Sequence, residues 1–415
     1  MLDQKSKVFV SHRAEIPGDP KSMDDASLSV IREMVRDAFD AADLVKDIRG
    51  RSVFVKPNWV RPNPDAPGVT TTDPRVILAV LELCRDAGVA GLGIGDKPGI
   101  GLSCRGAEKL LGLTPQFNAL GAQFVYLDES PETWRENPQG RICKSIPIPD
   151  VLNDYEVILN LPKLKLHMHT GVSLGIKNLF GFVPEHFRMK HHREDLHRFL
   201  VDYLHLVRPI FTLIDGIWGL EGQAPICGTA VKDLNTLVAS RDMVAADAIG
   251  CHLMGVNPQE ITMIRMAQKD GFGNGDLNGI EVQGGDLSAI RRSFIRPTLS
   301  SQDAYTGIDV LVRGACVGCL SSLRHALDRL HAAGKLKEDP QTILLGMRDQ
   351  NEKPDLRENP GTLWCYGNCC IDQFSRYFKD FDNARWLQGC PPHFMEFYRA
   401  YCREVGLDLP EPEKG

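Results

Sequence analysis

Lys163, Lys165, His167 and His169 alternate with Leu164, Leu166 and Met168 directly after Pro162. In an extended chain that period of two sets four cationic or imidazole groups on one face, where they can hold an anion or move a proton. The run continues as Thr170-Gly171-Val172-Ser173-Leu174-Gly175-Ile176-Lys177-Asn178. Its small residues let the backbone approach a ligand, while Thr170, Ser173, Lys177 and Asn178 supply hydroxyl, ammonium and amide donors. The competing explanation is a solvated basic face beside a turn, which is what most charge runs are. The apolar residues between the lysines, and seven of the twelve histidines falling between His167 and His205, favour a basic, His-rich cleft.

A second chemistry lies toward the C-terminus, where six of the twelve cysteines fall between Cys316 and Cys390. Cys316-Val317-Gly318-Cys319 is a Cys-x2-Cys turn leading into a helix with apolar positions Leu320, Leu323, Leu327 and Leu330, so both thiols sit where the helix dipole favours thiolates. Gly367-Asn368-Cys369-Cys370 and Gly389-Cys390-Pro391-Pro392 follow. Four thiolates flanked by glycine and proline can enclose a 4Fe-4S cluster, and the Gly-Cys-Pro-Pro turn resembles the closing ligand of many cluster-binding domains. The expected ligands are Cys316, Cys319, Cys369 and Cys390, with Cys365 or Cys370 as the replacement for Cys369. Zinc is the rival metal, and packing thiols are the remaining alternative.

The elements that must position these groups alternate between strand and helix. Lys7 to Ser11 reads as a strand and Asp24 to Phe39 as an amphipathic helix. Val53 to Val55 is a strand ending at Lys56-Pro57-Asn58, where Pro57 forces the chain out of helical geometry just where a parallel strand delivers side chains to a crevice. Asp73-Pro74 starts a helix that Gly88 ends, and Leu92 to Gly95 is a strand leading to Asp96-Lys97-Pro98. Val157 to Leu159 and Phe211 to Ile214 are further strands, the latter ending at Asp215-Gly216. Ser240 is expected to cap a helix closed by Gly255. His191 and His192 are adjacent on a helical segment, so they cannot both face one core. The pattern predicts an α/β fold with a mostly parallel sheet and flanking helices over residues 1–300, and a cysteine-rich α+β module over 301–415.

Val55-Lys56-Pro57-Asn58, the Val157 to Arg193 segment and Ile214-Asp215-Gly216, found in that order, resemble the bacterial and archaeal family known as domain of unknown function 362 over about residues 50 to 290. The resemblance implies an α/β fold and a site among these residues, and no established reaction. The family shows an acidic-Ser-Pro turn where this chain has Asp96-Lys97-Pro98. It shows an acidic-Gly-Pro turn where this chain has Glu221-Gly222-Gln223, which weakens a metal assignment there and leaves Asp215 and Glu221 available.

A net charge of -6 argues against a general nucleic-acid binder, so a cationic site has to be local. No segment reaches the ~20 apolar residues that span a bilayer, and the first residues lack a signal-peptide run. This predicts a cytoplasmic protein outside the membrane, with its cysteines reduced. The leading expectation is an iron-sulfur oxidoreductase. Lys56, His167, His169 and Lys177 would act on an anionic small molecule, and Asn58, Lys163, Lys165, Thr170, Ser173, Asn178 and Asp215 would bind it, with a redox partner protein supplying electrons. The alternatives are a non-redox isomerase or hydrolase with a structural cluster, and an electron-transfer or metallocofactor-assembly protein. The sequence leaves the oligomeric state open.

Overall fold

The structure, a computed structural model, describes residues 5–409 apart from 19, 22, 100, 194, 303, 347–355, 357–358 and 379–381; the side chains of 189, 192–193 and 376–378 are also outside the description. The chain divides into a larger unit that runs to Pro297, apart from Met189–Leu196, and a smaller unit that takes that segment and continues from Thr298.

In the larger unit the apolar runs become β1 (Ser6–His12), β2 (Ser52–Pro57), β3 (Gly91–Ile94), β4 (Gln123–Phe124), β5 (Val157–Leu161), β6 (Lys163–His167), β7 (Phe211–Glu221), β8 (Thr236–Ser240) and β9 (Ile280–Gly284). Their order is β9-β1-β8-β7-β5-β2-β3-β4, with β6 paired to β7 off this path. β8 runs antiparallel to both its neighbours, and the other pairs along the path are parallel. The fold is therefore α/β with a mostly parallel sheet.

Two features of this order make a crevice. From β2 the chain crosses to β3 and β4 on one side, then returns to β5 on the other, so the strand order reverses between β2 and β5. Ligands of open α/β sheets bind outside the carboxyl ends of strands at such a reversal. In addition β5 pairs with β2 only as far as Leu161 opposite Pro57. After Pro162 the chain continues as β6 against β7, Lys163 opposite Asp215, and against the short antiparallel strand Gly171–Val172, no longer beside β2, so the sheet parts beyond the Lys56-Pro57 end of β2.

Helices cover the sheet where the sequence places caps. α1 (Asp25–Ala41) begins at Asp24, whose carboxylate accepts from Ser27 N, and buries Ile31, Met34, Val35, Ala38 and Phe39. α2 (Pro74–Asp86) has Asp73 as N-cap, and Gly88 follows at φ +75°. α3 (Met243–Leu253) corrects the expected cap: Asp242, not Ser240, accepts from Ala245 N at 3.0 Å. Ser240 Oγ instead donates to Lys7 O and accepts from Asp242 N, which ties the helix start to β1.

Among the described residues the smaller unit has four strands, β10 (Ile308–Arg313), β11 (Gln341–Gly346), β12 (Thr362–Tyr366) and β13 (Ala384–Leu387), side by side in chain order and all parallel. Alternation along β12 divides two cores: Trp364 and Tyr366 pack with the helices α4 (Val317–Ala332) and α6 (Phe394–Glu404), and Leu363 and Cys365 pack with α5 (Asn368–Phe378). No helix among the described residues is long and apolar enough to cross a membrane.

Candidate functional site

The end of β2 is held by charge. Lys56 is fully buried, and its Nζ donates to Asp96 Oδ1 at 2.5 Å and to Pro57 O at 3.0 Å. Asp96 Oδ2 accepts from Trp59 N at 2.6 Å, so one carboxylate joins the ends of β2 and β3. Burial lowers the Lys56 pKa, against the pull of Asp96 in the other direction. Gly181 covers this pair, and a Cβ on it would lie 1.9 Å from Asp96 Oδ1 and 2.6 Å from Lys56 Nζ.

Lys163, Lys165 and His167 are all buried, but they turn to different partners. Lys163 Nζ pairs with Asp215 Oδ2 at 2.9 Å, and Asp215 also accepts from the backbone N of Asp73 and of Ile217. Burial raises the Asp215 pKa although Lys163 opposes the rise. Lys165 has neutral acceptors, Asn58 Oδ1 at 2.8 Å and Thr70 O at 2.7 Å. A buried ammonium without a counter-ion is costly, and burial pushes Lys165 well below the ordinary lysine value. From Asn58 an amide chain runs inward: Asn58 Nδ2 donates to Asn178 Oδ1, Asn178 Nδ2 to Asn160 Oδ1, and Asn160 Nδ2 to Gly175 O. Lys165 can only donate in its charged form, so it fixes the direction of all three amides.

Beside these groups opens a cleft of about 60 Å³, lined among others by Asn58, Asp96, Lys97, His167, Ser173, Lys177, Asn178 and Arg188. His167 Nδ1 faces the backbone N–H of His169 and of Thr170 at 3.1 and 3.3 Å. As an acceptor Nδ1 carries no proton, so the neutral ring has its proton on Nε2 and is a donor there. Lys177 Nζ lies 4.2 Å from the centre of the Phe180 ring. Burial, reinforced by Arg188 and Lys56, lowers the Lys177 pKa to about 7. Arg188 Nη1 donates to Pro98 O at 2.7 Å and Lys97 O at 3.3 Å, while its Nε and Nη2 are buried without a hydrogen-bond partner among the described residues.

Of the residues chosen from sequence, Asn58, His167, Ser173, Lys177 and Asn178 line this cleft, and Lys56 and Lys165 stand directly behind it through Asp96 and Asn58. Lys163 and Asp215 form their own buried pair. Thr170 Oγ1 donates to Val172 O. His169 is half-buried near His197 and Lys177, and burial lowers its pKa to about 4. Glu221 accepts from Ile295 N. His191 is buried, and the side chain of His192 lies outside the described residues. Sequence reasoning passed over Arg188 and Gly181. Arg188 stands in a helix rich in basic residues, and only its burial distinguishes it from Lys190.

In the smaller unit the cysteines gather at the carboxyl edge of the sheet. Cys316 is the N-cap of α4 and Cys319 lies in its first turn; Cys369 is in the first turn of α5; and Cys390 precedes α6, which His393 caps. A hydrogen bond with the Cys316 thiol, then burial, then the charges of Cys316, Cys390 and Cys369 push the Cys319 thiol up. The two later loops are pinned reciprocally, Asn368 N donating to Gly389 O at 2.9 Å and Gly389 N to Asn368 Oδ1 at 2.8 Å. Glycines leave the thiols room: a Cβ on Gly367, whose φ is +91°, would lie 3.2 Å from Cys319 Sγ, and one on Gly318 would lie 3.6 Å from Cys316 Sγ. Cys365 and Cys370 lie in the other core, where the hydrogen bond between them and burial push the Cys370 thiol up. Among the described residues no group of three or more His, Cys, Asp or Glu side chains is set to hold a metal ion as it stands. None of the twelve cysteines, all of them described, is in a disulfide.

The fold and cleft define an α/β protein with a polar crevice at a strand-order reversal. The chain belongs to the family described as Domain of unknown function (DUF362), whose model matches residues 53–252. It is 30% identical over 230 residues to the thylakoid-associated protein sll1697 of Synechocystis sp. (strain ATCC 27184 / PCC 6803 / Kazusa), covering 54% of this chain and 69% of that protein. A crystal structure of a Thermotoga maritima protein aligns over 96% of this chain and 94% of its own, at 13% identity and a TM-score of 0.37.

Proposed function

We propose that this protein is a cytoplasmic iron-sulfur oxidoreductase that binds an anionic small molecule in the cleft of the larger unit and a 4Fe-4S cluster at Cys316, Cys319, Cys369 and Cys390. The observation that carries the reading is the four-cysteine edge, where a Cys-x2-Cys at the start of α4, Cys369 in the first turn of α5 and the Cys390 loop before α6 come together. Ionising a thiol there is opposed by its neighbours, and an iron core supplies the positive charge that reverses this. The Gly389-Cys390-Pro391-Pro392 turn favours iron over zinc, because Cys-Pro closes many cluster-binding runs. When bound, the cluster supplies one-electron transfer.

In the cleft the chain's own residues do three things. Lys177 and Arg188 attract the anion, while Asp96, the one carboxylate lining the cleft among the described residues, is engaged by Lys56 and Trp59. Lys165 holds the amide chain that orients Asn58 and Asn178. Lys177, titrating near neutrality, can give or take the proton that accompanies an electron. Trp386 and Val317, exposed beside Cys390 and Cys316 in sequence, offer apolar contact for a redox partner.

Purification without oxygen, followed by iron and sulfide analysis and a redox titration, tests the reading. A reducible cluster supports it, and an iron-free chain without visible absorption contradicts it. The Lys177 pKa also favours a second reading, acid-base chemistry beside a structural cluster. Ligand and reduction are thermodynamically linked in the first reading, so a midpoint potential that shifts when the cleft is filled selects it. An unchanged potential selects the second.

A further inference from the structure

We propose that the cleft is a socket for the phosphoryl dianion of a phosphorylated small molecule, gripped by the Nε and Nη2 edge of Arg188; this rests on the anionic-ligand reading above and names its chemical class. Arg188 is anchored on one side only. Its Nη1 donates to the carbonyls of Lys97 and Pro98, which fixes the guanidinium plane against the turn after β3. The opposite edge, Nε with Nη2, is buried and makes no hydrogen bond among the described residues. Glu185 stands 3.9 Å from Nη2, beyond hydrogen-bond reach. That edge is the pair of parallel N–H groups which matches two oxygens of a phosphate or carboxylate. Buried charged donors are rarely left without an acceptor.

The charge around it indicates a dianion. Asp96 is already held by Lys56, so Lys97, Lys177 and Arg188 line the cleft as three cations that no carboxylate among the described residues meets within hydrogen-bond distance. A carboxylate has two oxygens, and the Arg188 fork would take both. A phosphate monoester has a third terminal oxygen for Lys177, with the hydroxyl of Ser173 also on the wall. The cleft volume of about 60 Å³ is several times the ~10–15 Å³ that admits one water molecule on the same measure. It fits a head group, with the rest of the molecule outside.

The test is calorimetric titration of the anaerobically purified full-length chain with inorganic phosphate, methyl phosphate and acetate, in the wild type and in Arg188→Lys. The proposal expects saturable binding of both phosphates, acetate weaker by about tenfold or more, and phosphate affinity lowered about tenfold in Arg188→Lys, which keeps the charge and loses the fork. Filling the site should also draw protons onto Lys177 at pH 7 to 8. Should Arg188→Lys not fold, labelling of wild-type Lys177 by an amine-reactive ester replaces it: phosphate must slow the labelling, and an unchanged rate overturns the proposal. Acetate binding as tightly as phosphate, or phosphate affinity indifferent to Arg188→Lys, removes the phosphoryl assignment and leaves the anionic cleft standing. No binding of any of the three anions removes both.

Discussion

Gly181 is the residue on which the cleft tolerates least, because a methyl group there would fall on the Asp96 carboxylate and the Lys56 ammonium. Separating a buried ion pair leaves a charge without compensation, at a cost of about 3–5 kcal/mol. Gly181→Ala should therefore lose at least about 3 kcal/mol in chemical denaturation, and a loss under about 1 would mean that the pair can shift aside. Lys177 makes a prediction about pH. Its folded pKa of about 7 lies below the ordinary lysine value of 10.5, so between the two the unfolded chain binds the extra proton and stability rises with pH. The penalty is present in full below pH 7. Lys177→Met should stabilise the protein most at or below pH 7, with the gain shrinking toward pH 10; denaturation midpoints across that range check it, and a gain that grows with pH would contradict the lowered lysine pKa. At this scale the sequence showed the residue types and not their partners. Alternation set Lys163 and Lys165 apart from the leucines, but that one would meet a carboxylate and the other two neutral oxygens depends on Asp215 and Asn58, far away along the chain.

Short loops connect these residues to the sheets, and their geometry is fixed by single polar side chains. Asn368 does this for two cysteine loops at once. Asn368→Ala removes an acceptor from the Gly389 N–H and should cost about 1–2 kcal/mol, together with part of the iron content. Asn368→Asp keeps an acceptor oxygen in place and should restore most of both. Iron unchanged in Asn368→Ala would show that the loops hold themselves. Elements with local signals were legible from sequence: Asp73-Pro74 and Asp24 start helices as expected, and the Lys163 to His167 alternation is a strand. The α3 cap was misplaced because Ser240 and Asp242 are both good caps, and only the strand before them decides which carboxylate or hydroxyl reaches the first turn. The parallel order of β10 to β13 has no local signature, since a buried parallel strand and a buried helix segment both read as a short apolar run.

The whole chain joins two α/β units with different chemistries, one presenting ammonium and guanidinium groups at a strand-order reversal and the other presenting thiols at helix starts. The composition change beyond residue 300 and the crowding of cysteines made two chemistries legible, because Cys, Gly and Pro mark such a module by type alone. The cleft was legible only in outline, since Arg188 and Lys97 are ordinary surface residues by type and the fold alone buries them. On the proposed reading the two chemistries belong to one redox enzyme. The most direct measurement is iron, sulfide and visible absorption of the anaerobically purified protein beside its Cys390→Ala and Cys84→Ala variants. A 4Fe-4S cluster is expected in the wild type and in Cys84→Ala, whose thiol is buried in the core of the larger unit, with the absorption abolished or the iron lowered in Cys390→Ala. A Cys390→Ala protein that keeps its full iron with an unchanged spectrum would contradict it.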